Sequence, residues 1–273
     1  MNLTSYPEIQ DLLKRHNFRF SKSMGQNFLV KQWVPEEIAD AAFCEGKTVL
    51  EIGPGIGCLT RELSLRADKV YSIELDKSLM PVLSETLIGC ENVEVVFADA
   101  LRSELPRADV VCANLPYNIT TPILTKLVRG NYAYITVMIQ REVADRICAS
   151  EGNKDYGSFG IYVQWFYECE KLFDVTPDCF MPQPKVTSTV IRLKKREEKI
   201  CGVNDEELMF KIIRASFNQR RKTLTNALHN AGIADKADTE AVLNKLGFDS
   251  QIRGEVLSIV DFAKICDELH VKS

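Results

Sequence analysis

The spacing of hydrophobic residues divides the chain into two parts. From Lys47 to about Arg196, short β-branched runs alternate with stretches in which apolar residues recur every three to four positions. This alternation is typical of parallel strands joined by helices that pack on both faces of one sheet. The predicted strands are Thr48–Ile52, Val70–Glu74, Val93–Phe97, Asp109–Ala113, Tyr134–Ile139, Cys169–Val175 and Thr187–Leu193.

The end of this alternation indicates a second domain. The last two predicted strands are separated by three prolines and by no helical pattern, so we expect an antiparallel hairpin at the end of the sheet. Beyond the charged stretch at residues 194–199 only helical patterns remain. We therefore predict an α/β domain with a mostly parallel seven-stranded sheet at residues 1–199 and a small all-helical domain at residues 200–273.

The composition excludes several classes of protein. Of the 273 residues, 45% are hydrophobic and 26% are charged, which is ordinary for a globular protein. No apolar stretch is long enough to cross a membrane, and the first residues lack the apolar core of a signal peptide, so we expect a cytoplasmic protein. The nine cysteines include no Cys-x-x-Cys pair and are accompanied by three histidines, so we expect reduced thiols and no metal site.

The distribution of charge favours a nucleic acid partner, although the net charge is −4. Residues 12–35 and residues 208–234 contain no Asp or Glu and several Lys and Arg, and residues 192–196 are also basic. A solvated surface is the alternative explanation for any one of these segments. Three such segments in an acidic protein point to a phosphate backbone.

A glycine-rich turn follows the first predicted strand, with the sequence Glu-Ile-Gly-Pro-Gly-Ile-Gly at residues 51–57. Glycines let the backbone pass close to a ligand, and the carboxyl ends of parallel strands are where such folds bind ligands. A tight turn without a ligand is the alternative. The spacing differs from the G-x-G-x-x-G of dinucleotide-binding proteins, which argues against NAD.

Acidic residues end the next two strands. Glu74 lies about twenty residues beyond the glycines, where a carboxylate can accept hydrogen bonds from both hydroxyls of a ribose. Asp99 follows the third strand, where it can accept a hydrogen bond from an adenine amine. Each acid alone could be a helix cap or a solvated group. Together with Gly53, they predict a ligand that contains adenosine, with S-adenosylmethionine favoured over NAD.

The fourth strand ends in Asn114-Leu115-Pro116-Tyr117. If the Asn114 side-chain oxygen and the Leu115 carbonyl each accept one hydrogen from adenine N6, the nitrogen lone pair is drawn out of conjugation with the ring. Pro116 stiffens the turn and has no N–H to compete, and Tyr117 can stack on the base. Phe180 could cover the other face of the base, with a core position as the alternative. These residues at the end of a strand are suited to gripping a flat base by its exocyclic amine.

These motifs resemble those of the Rossmann-like class I methyltransferases, and the motif at residues 114–117 resembles their adenine-N6 branch. Four further segments resemble the ribosomal RNA adenine dimethyltransferase family, the last two its bacterial small-subunit type. They are Lys-Ser-Met-Gly-Gln-Asn-Phe-Leu at 22–29, Phe-Met-Pro-Gln-Pro-Lys-Val at 180–186, Phe-Asn-Gln-Arg-Arg-Lys-Thr-Leu at 217–224 and Arg-Gly-Glu-Val-Leu-Ser at 253–258. The resemblance extends from about Phe18 to Leu269.

The resemblance implies a monomeric enzyme that dimethylates N6 of two adjacent adenosines near the 3′ end of 16S rRNA. It acts on the small ribosomal subunit or its precursor during subunit biogenesis, uses S-adenosylmethionine and releases S-adenosylhomocysteine. The implied cofactor contacts are Asn27, Leu29, Gly53, Glu74, Asp99 and Asn114. The residues expected to contact RNA are Lys22, Arg220, Arg221 and Lys222. The α/β domain would then carry methyl transfer, and the helical domain would bind RNA.

Three alternatives stay open at this point. A resistance methyltransferase acting on a large-subunit adenine shares the Asn-x-Pro-Tyr and Phe-x-Pro-x-Pro patterns. A non-catalytic assembly or transcription factor could keep the fold and the cofactor pocket. An NAD-dependent dehydrogenase would need a proton-transfer residue, and no histidine lies at a predicted strand end.

Overall fold

The structure is a computed structural model, and it describes residues 1–21 and 24–270. The chain forms two compact units. The first contains Met1–Ala144 and Glu168–Lys195, and the second contains Asp145–Tyr167 and the chain from Arg196 onwards.

The elements alternate as the sequence pattern predicts. The strands are β1 (Phe28–Leu29), β2 (Thr48–Ile52), β3 (Lys69–Glu74), β4 (Val93–Phe97), β5 (Val110–Asn114), β6 (Tyr134–Gln140), β7 (Tyr167–Val175), β8 (Phe180–Met181) and β9 (Ser188–Lys195). The helices are α1 (Tyr6–Arg15), α2 (Trp33–Ala41), α3 (Cys58–Ser64), α4 (Met80–Thr86), α5 (Thr120–Leu127), α6 (Arg141–Cys148), α7 (Ser158–Phe166), α8 (Glu206–Asn218), α9 (Leu224–Asn230), α10 (Lys236–Lys245) and α11 (Ile259–His270).

The described residues include a seven-stranded sheet in the order β4-β3-β2-β5-β6-β9-β7. The strands from β4 to β6 in this order are parallel to their neighbours, and β9 runs antiparallel to β6. In β5 the four residues from Val110 to Ala113 are all fully buried. Because successive side chains of a strand point to opposite faces, both faces of the sheet are covered there. The predicted mostly parallel seven-stranded sheet is confirmed.

The parallel order brings the strand ends that carry chemistry to one edge of the sheet. Ile52 lies opposite Ile73, and Glu74 lies opposite Phe97. Strand β5, which ends at Asn114, pairs with β2 on its other side. The residues that follow β2, β3, β4 and β5 therefore surround one region at the carboxyl edge, which is the ligand-binding edge of such sheets.

The segment between β7 and β9 contains structure that the sequence pattern does not predict. The two strands are neighbours, as expected, but a 3₁₀ turn at Pro177–Cys179 and the short strand β8 lie between them in sequence. Strand β8 pairs antiparallel with β1, so that Phe28 lies opposite Met181 and Leu29 opposite Phe180. Two-residue strands have no periodic pattern, which is why the sequence alone did not reveal this pairing.

The second unit is mainly helical and has its own core. It includes residues 145–167, which the sequence pattern assigns to the first domain. The indole of Trp165 donates a hydrogen bond to Glu206 (3.0 Å), and the hydroxyl of Tyr156 donates one to the Leu257 carbonyl (3.1 Å). Both aromatic side chains are buried in one cluster with Phe262. This apolar packing groups residues 145–167 with the helices.

Candidate active site

A cavity of about 250 Å³ opens in the first unit at the carboxyl edge of the sheet. Its lining comes from residues 24–29, 51–56, 58–59, 73–75, 79, 98–101 and 114–119. The predicted site residues in this lining are Asn27, Leu29, Gly53, Glu74, Asp99, Asn114, Leu115, Pro116 and Tyr117. Phe180 is not in this lining: its side chain is 2% exposed, and it lies in β8 opposite Leu29.

The glycine turn is required by both its backbone and its surroundings. Gly53, Gly55 and Gly57 have φ angles of +73°, +58° and +90°, in the left-handed region that side chains disfavour. A Cβ on Gly55 would stand 3.1 Å from the ring of Phe28, closer than an ordinary contact, whereas one on Gly53 would stand 3.6 Å from the ring of Pro116, at van der Waals distance. Because these positions carry no side chain, the backbone of the glycine turn is accessible from the cavity.

The Glu74 carboxylate is buried and oriented by two backbone amides. The N–H of Asp76 donates to Oε1 at 2.8 Å, and the N–H of Gly55 donates to Oε2 at 3.3 Å. Burial raises the pKa of Glu74, and the two amide hydrogen bonds partly offset this rise. The structure therefore links the acidic end of β3 to the glycine turn.

Glu51 is a polar residue of the cavity that the sequence pattern did not single out. Its carboxyl group is 1% exposed, and its Oε2 accepts hydrogen bonds from Thr60 (2.8 Å) and Ser72 (2.6 Å). Burial, together with the nearby charge of Glu74, raises its pKa to about 7 against the opposing effect of these two hydrogen bonds. The feature of the sequence that could have identified Glu51 is its position as an acidic residue at the start of the glycine motif.

Asp99 begins a compact turn. Its Oδ1 accepts a hydrogen bond from the N–H of Leu101 at 2.9 Å, and its carbonyl accepts from the N–H groups of Arg102 and Ser103. Its Oδ2 lies 3.4 Å from the guanidinium of Arg102, whose side chain is 89% exposed. The turn presents residues 98–101 to the cavity.

Asn114 is the last residue of β5 and lies beside Asn27. Its Nδ2 donates to the Asn27 carbonyl at 3.4 Å, which leaves its Oδ1 as the acceptor end of the amide. The N–H of Leu115 donates to the Met138 carbonyl at 3.1 Å. The hydroxyl of Tyr117 shares a 2.6 Å hydrogen bond with Ser188. Neighbouring elements thus hold three residues of this motif.

The amino-terminal segment is linked to the same cavity by Gln26, a second residue that the sequence pattern missed. Its Nε2 donates to Asp76 at 2.7 Å, and its Oε1 accepts from the N–H of Ser21 at 3.0 Å. Asp76 follows Glu74 by two residues, so Gln26 connects the basic segment to the end of β3. Lys22, predicted to contact RNA, lies outside the described residues.

The predicted RNA-contacting residues of the second unit differ in their surroundings. Arg220 donates to the Lys154 carbonyl at 3.0 Å and lies 3.3 Å from the Glu255 carboxylate. The side chains of Arg221 and Lys222 are exposed.

The thiol of Cys58, which follows the glycine turn, is buried and donates to the Leu3 carbonyl at 2.9 Å. Burial raises its pKa to about 12, so it is an inert core thiol. Within residues 1–21 and 24–270, no group of three or more His, Cys, Asp or Glu side chains could hold a metal ion. Over the same residues, every helix is too short or too polar to cross a bilayer.

Comparison with known proteins decides the family. The model of the family described as ribosomal RNA adenine dimethylase matches residues 17–269. The chain belongs to the ribosomal RNA adenine dimethylase family. It is therefore an S-adenosylmethionine-dependent rRNA adenine dimethyltransferase with the class I methyltransferase fold, as the resemblance implied. Membership in this family excludes the NAD-dependent dehydrogenase.

Individual proteins are similar to this chain over most of its length. Ribosomal RNA small subunit methyltransferase A of Geobacillus thermodenitrificans is 44% identical over 280 residues, covering 95% of this chain and 94% of the relative. A dimethyladenosine transferase from Plasmodium falciparum has a TM-score of 0.80 and 27% identity, covering 89% of this chain and 98% of that structure. The 23S rRNA methyltransferase ErmE has a TM-score of 0.69 and 28% identity, covering 89% of this chain and 99% of that structure.

Proposed function

We propose that this dimethyltransferase methylates N6 of two adjacent adenosines near the 3′ end of 16S rRNA, giving N6,N6-dimethyladenosine, and that it acts in the cytoplasm as a monomer during small-subunit biogenesis. The observation that carries this proposal is the position of residues 114–117 in the lining of the cavity at the carboxyl edge of the sheet. The relative from Geobacillus thermodenitrificans, named for the small subunit, matches nearly the whole chain. The TM-score with ErmE, named for 23S rRNA, is lower than that with the dimethyladenosine transferase.

The cavity residues fit S-adenosylmethionine, which supplies a methyl group on a positively charged sulfur. Exposed backbone at Gly53 provides a cradle that a Cβ would fill against Pro116. The oriented carboxylate of Glu74 would accept from the ribose hydroxyls, and Asp99 from the adenine amine. Asn27, which contacts Asn114, and Leu29 would line the methionine end, and the Asn114 amide would contact the cofactor as well as the substrate base.

The motif at residues 114–117 would activate the substrate amine. Adenine N6 is a weak nucleophile because its lone pair is delocalised into the ring. Oδ1 of Asn114 and the carbonyl of Leu115 would each accept one N6 hydrogen, which turns the lone pair towards the methyl group. Pro116 keeps this turn rigid. Positioning and fixed dipoles then lower the barrier to an in-line displacement without a covalent intermediate.

The target base would leave its stack and lie against Tyr117. Phe180 is buried in β8 outside the cavity lining, as in the core position given as the alternative, and would cover the other face of the base only if it became exposed. Stacking contributes about 1–3 kcal/mol per base, which is comparable to the cost of extrusion. After the first transfer one N6 hydrogen is replaced by a methyl, so one acceptor loses its donor. We expect space for that methyl beside one acceptor, and two transfers that need not be processive.

The basic segments would contact phosphates and leave the choice of site to RNA shape. Arg221 and Lys222 are exposed and available for such contacts. Lys22 and Arg220 complete the predicted set, although Arg220 also has protein partners.

The test combines a substrate choice with a matched pair of variants. We expect methyl incorporation into small ribosomal particles and not into large ones, with N6,N6-dimethyladenosine detected by mass spectrometry of the nucleosides. Asn114→Ala should lower the rate at least about 100-fold while particle binding persists. The control is Asn244→Ala, an exposed asparagine on α10 in the other unit. Unchanged methylation by Asn114→Ala would falsify this active site, and binding without methylation by the unaltered protein would indicate an assembly factor.

A further inference from the structure

The ammonium group of Lys126, on α5, lies among backbone carbonyls of the turn that begins at Asp99. Its Nζ donates to the carbonyl of Ala100 at 2.8 Å, to that of Leu101 at 3.4 Å and to that of Ser103. An ammonium has three N–H donors, so its hydrogen-bonding capacity matches the three acceptors. Hydrogen bonds from a charged donor are about twice as strong as neutral ones.

These contacts complete the hydrogen bonding of the turn. Within it, the Asp99 carbonyl accepts from two N–H groups and from the Ser103 hydroxyl, and the Asp99 carboxylate accepts from the Leu101 N–H. The carbonyls of Ala100, Leu101 and Ser103 point towards Lys126 instead. One side chain therefore holds three of the five residues of a turn whose first part lines the cavity.

Helix α5 joins this turn to the motif that would grip the substrate base. The helix begins at Thr120, directly after the 3₁₀ turn at Tyr117–Ile119. Its apolar face is fully buried at Ile123, Leu124 and Leu127, so the helix is a fixed support. Lys126 extends from this support to the turn at the end of β4.

We propose that Lys126 is a positioning residue for cofactor recognition: it holds the Asp99 turn so that the Asp99 carboxylate meets the amine of the cofactor adenine. The inference rests on the proposed role of Asp99. The Asp99 side chain is 34% exposed, so it depends on the turn for its orientation. Without Lys126, the selectivity for an amine over a carbonyl at position 6 of the purine falls.

The experiment compares two ligands that differ at this position, S-adenosylhomocysteine and S-inosylhomocysteine, by calorimetry. The native protein should prefer the adenosine form, because the inosine oxygen faces the Asp99 carboxylate. Lys126→Met keeps the aliphatic stem and removes the donors. We expect the dissociation constant of S-inosylhomocysteine divided by that of S-adenosylhomocysteine to fall about tenfold. The main cause should be weaker binding of S-adenosylhomocysteine. If Lys126→Met does not fold, Lys126→Gln removes the charge and one of the three donors, and the same ratio should fall by a smaller factor.

Two further variants separate the possible outcomes. Lys47→Met is the matched control, because the Lys47 Nζ also donates to a backbone carbonyl, that of Phe43 after α2, at 2.6 Å and outside the cavity lining. Asp99→Asn should shift the preference towards the inosine form, since an amide can donate to its oxygen. If the ratio is unchanged in Lys126→Met but altered in Asp99→Asn, the inference about Lys126 is wrong and the proposed role of Asp99 stands. A ratio unchanged in both shows that the proposed role of Asp99 is wrong.

Discussion

The hydroxyl of Tyr117 lies 2.6 Å from the hydroxyl of Ser188, which is the first residue of β9 and fully buried. Tyr117 follows β5, so this hydrogen bond joins the motif at residues 114–117 to the strand that begins after the segment with Phe180. Burial raises the pKa of Tyr117, and the phenol stays neutral in the physiological range. The bond therefore fixes the position of the phenol oxygen at the end of the ring that we propose stacks on the substrate base.

Removing either partner of this hydrogen bond should slow methyl transfer without abolishing it. A hydrogen bond contributes about 0.5–1.5 kcal/mol, so Tyr117→Phe and Ser188→Ala should each lower the single-turnover rate about two- to tenfold. The double variant should be no slower than the slower single variant, because both changes remove one bond. Ser64→Ala, which removes the hydroxyl bonded to the Arg61 carbonyl, is the control. Additive losses in the double variant would contradict this prediction.

The buried carboxyl of Glu51 should make stability depend on pH. The unfolded group ionises near pH 4.5, whereas the folded group keeps its proton to about pH 7. Between these values the folded state binds more protons, so the free energy of unfolding falls as pH rises through this window and levels off above it. Glu51→Gln cannot ionise and should reduce this slope in denaturant unfolding between about pH 5 and pH 8.

The raised pKa of Glu74 acts in the same direction, so part of the slope should remain in Glu51→Gln. The control is Glu37→Gln, which replaces an exposed carboxyl on α2 and should keep the native profile. Equal slopes in Glu51→Gln and the native protein would show that Glu51 is ionised in the folded state.

Binding to small ribosomal particles should weaken steeply with salt, and the exposed basic residues should carry this dependence. Each lost phosphate contact reduces the slope of log K against log salt by about 0.7–0.9. We expect Arg221→Ala and Lys222→Ala to show this reduction between about 50 and 200 mM salt. Arg220→Ala should change the slope less, because its guanidinium is already paired with Glu255. A flat salt response of the native protein would contradict the assignment of these residues to RNA.

The left-handed turn at Gly55 should tolerate no side chain. Gly55→Ala places a methyl group 3.1 Å from the ring of Phe28 at a φ of +58°, and left-handed backbone costs about 1–2 kcal/mol for an L-residue. We expect lower stability and about tenfold weaker binding of S-adenosylhomocysteine by calorimetry. Gly46→Ala has a similar φ of +67° with no atom within 4 Å of the new methyl. It should lose stability but keep its affinity, and an equal loss of affinity in both variants would show that strain alone is responsible.

Most of the sheet could be predicted because its signals are local. The run from Val110 to Ala113 is apolar at every position because both faces of β5 are covered. The pairing of Leu29 with Phe180 could not be predicted, since it joins two short segments far apart in the chain. Residues 145–167 group with the helices because Trp165 packs against apolar residues that lie far from it in the sequence. A local sequence pattern cannot predict such packing.

The sequence by itself determined the class of fold and the types of side chain at the strand ends. The alternation of strand-type and helix-type apolar spacing predicts parallel strands. Parallel strands place Gly53, Glu74, Asp99 and Asn114 at the carboxyl edge of one sheet. Only the tertiary structure decided which hydrogen bonds hold the residues of the cavity: Ser188 bonds to Tyr117, Lys126 to the Asp99 turn, and Thr60 and Ser72 to Glu51. The physical reason is that a hydrogen bond requires two groups within about 3 Å. Packing of distant segments, and not sequence spacing, brings such groups together.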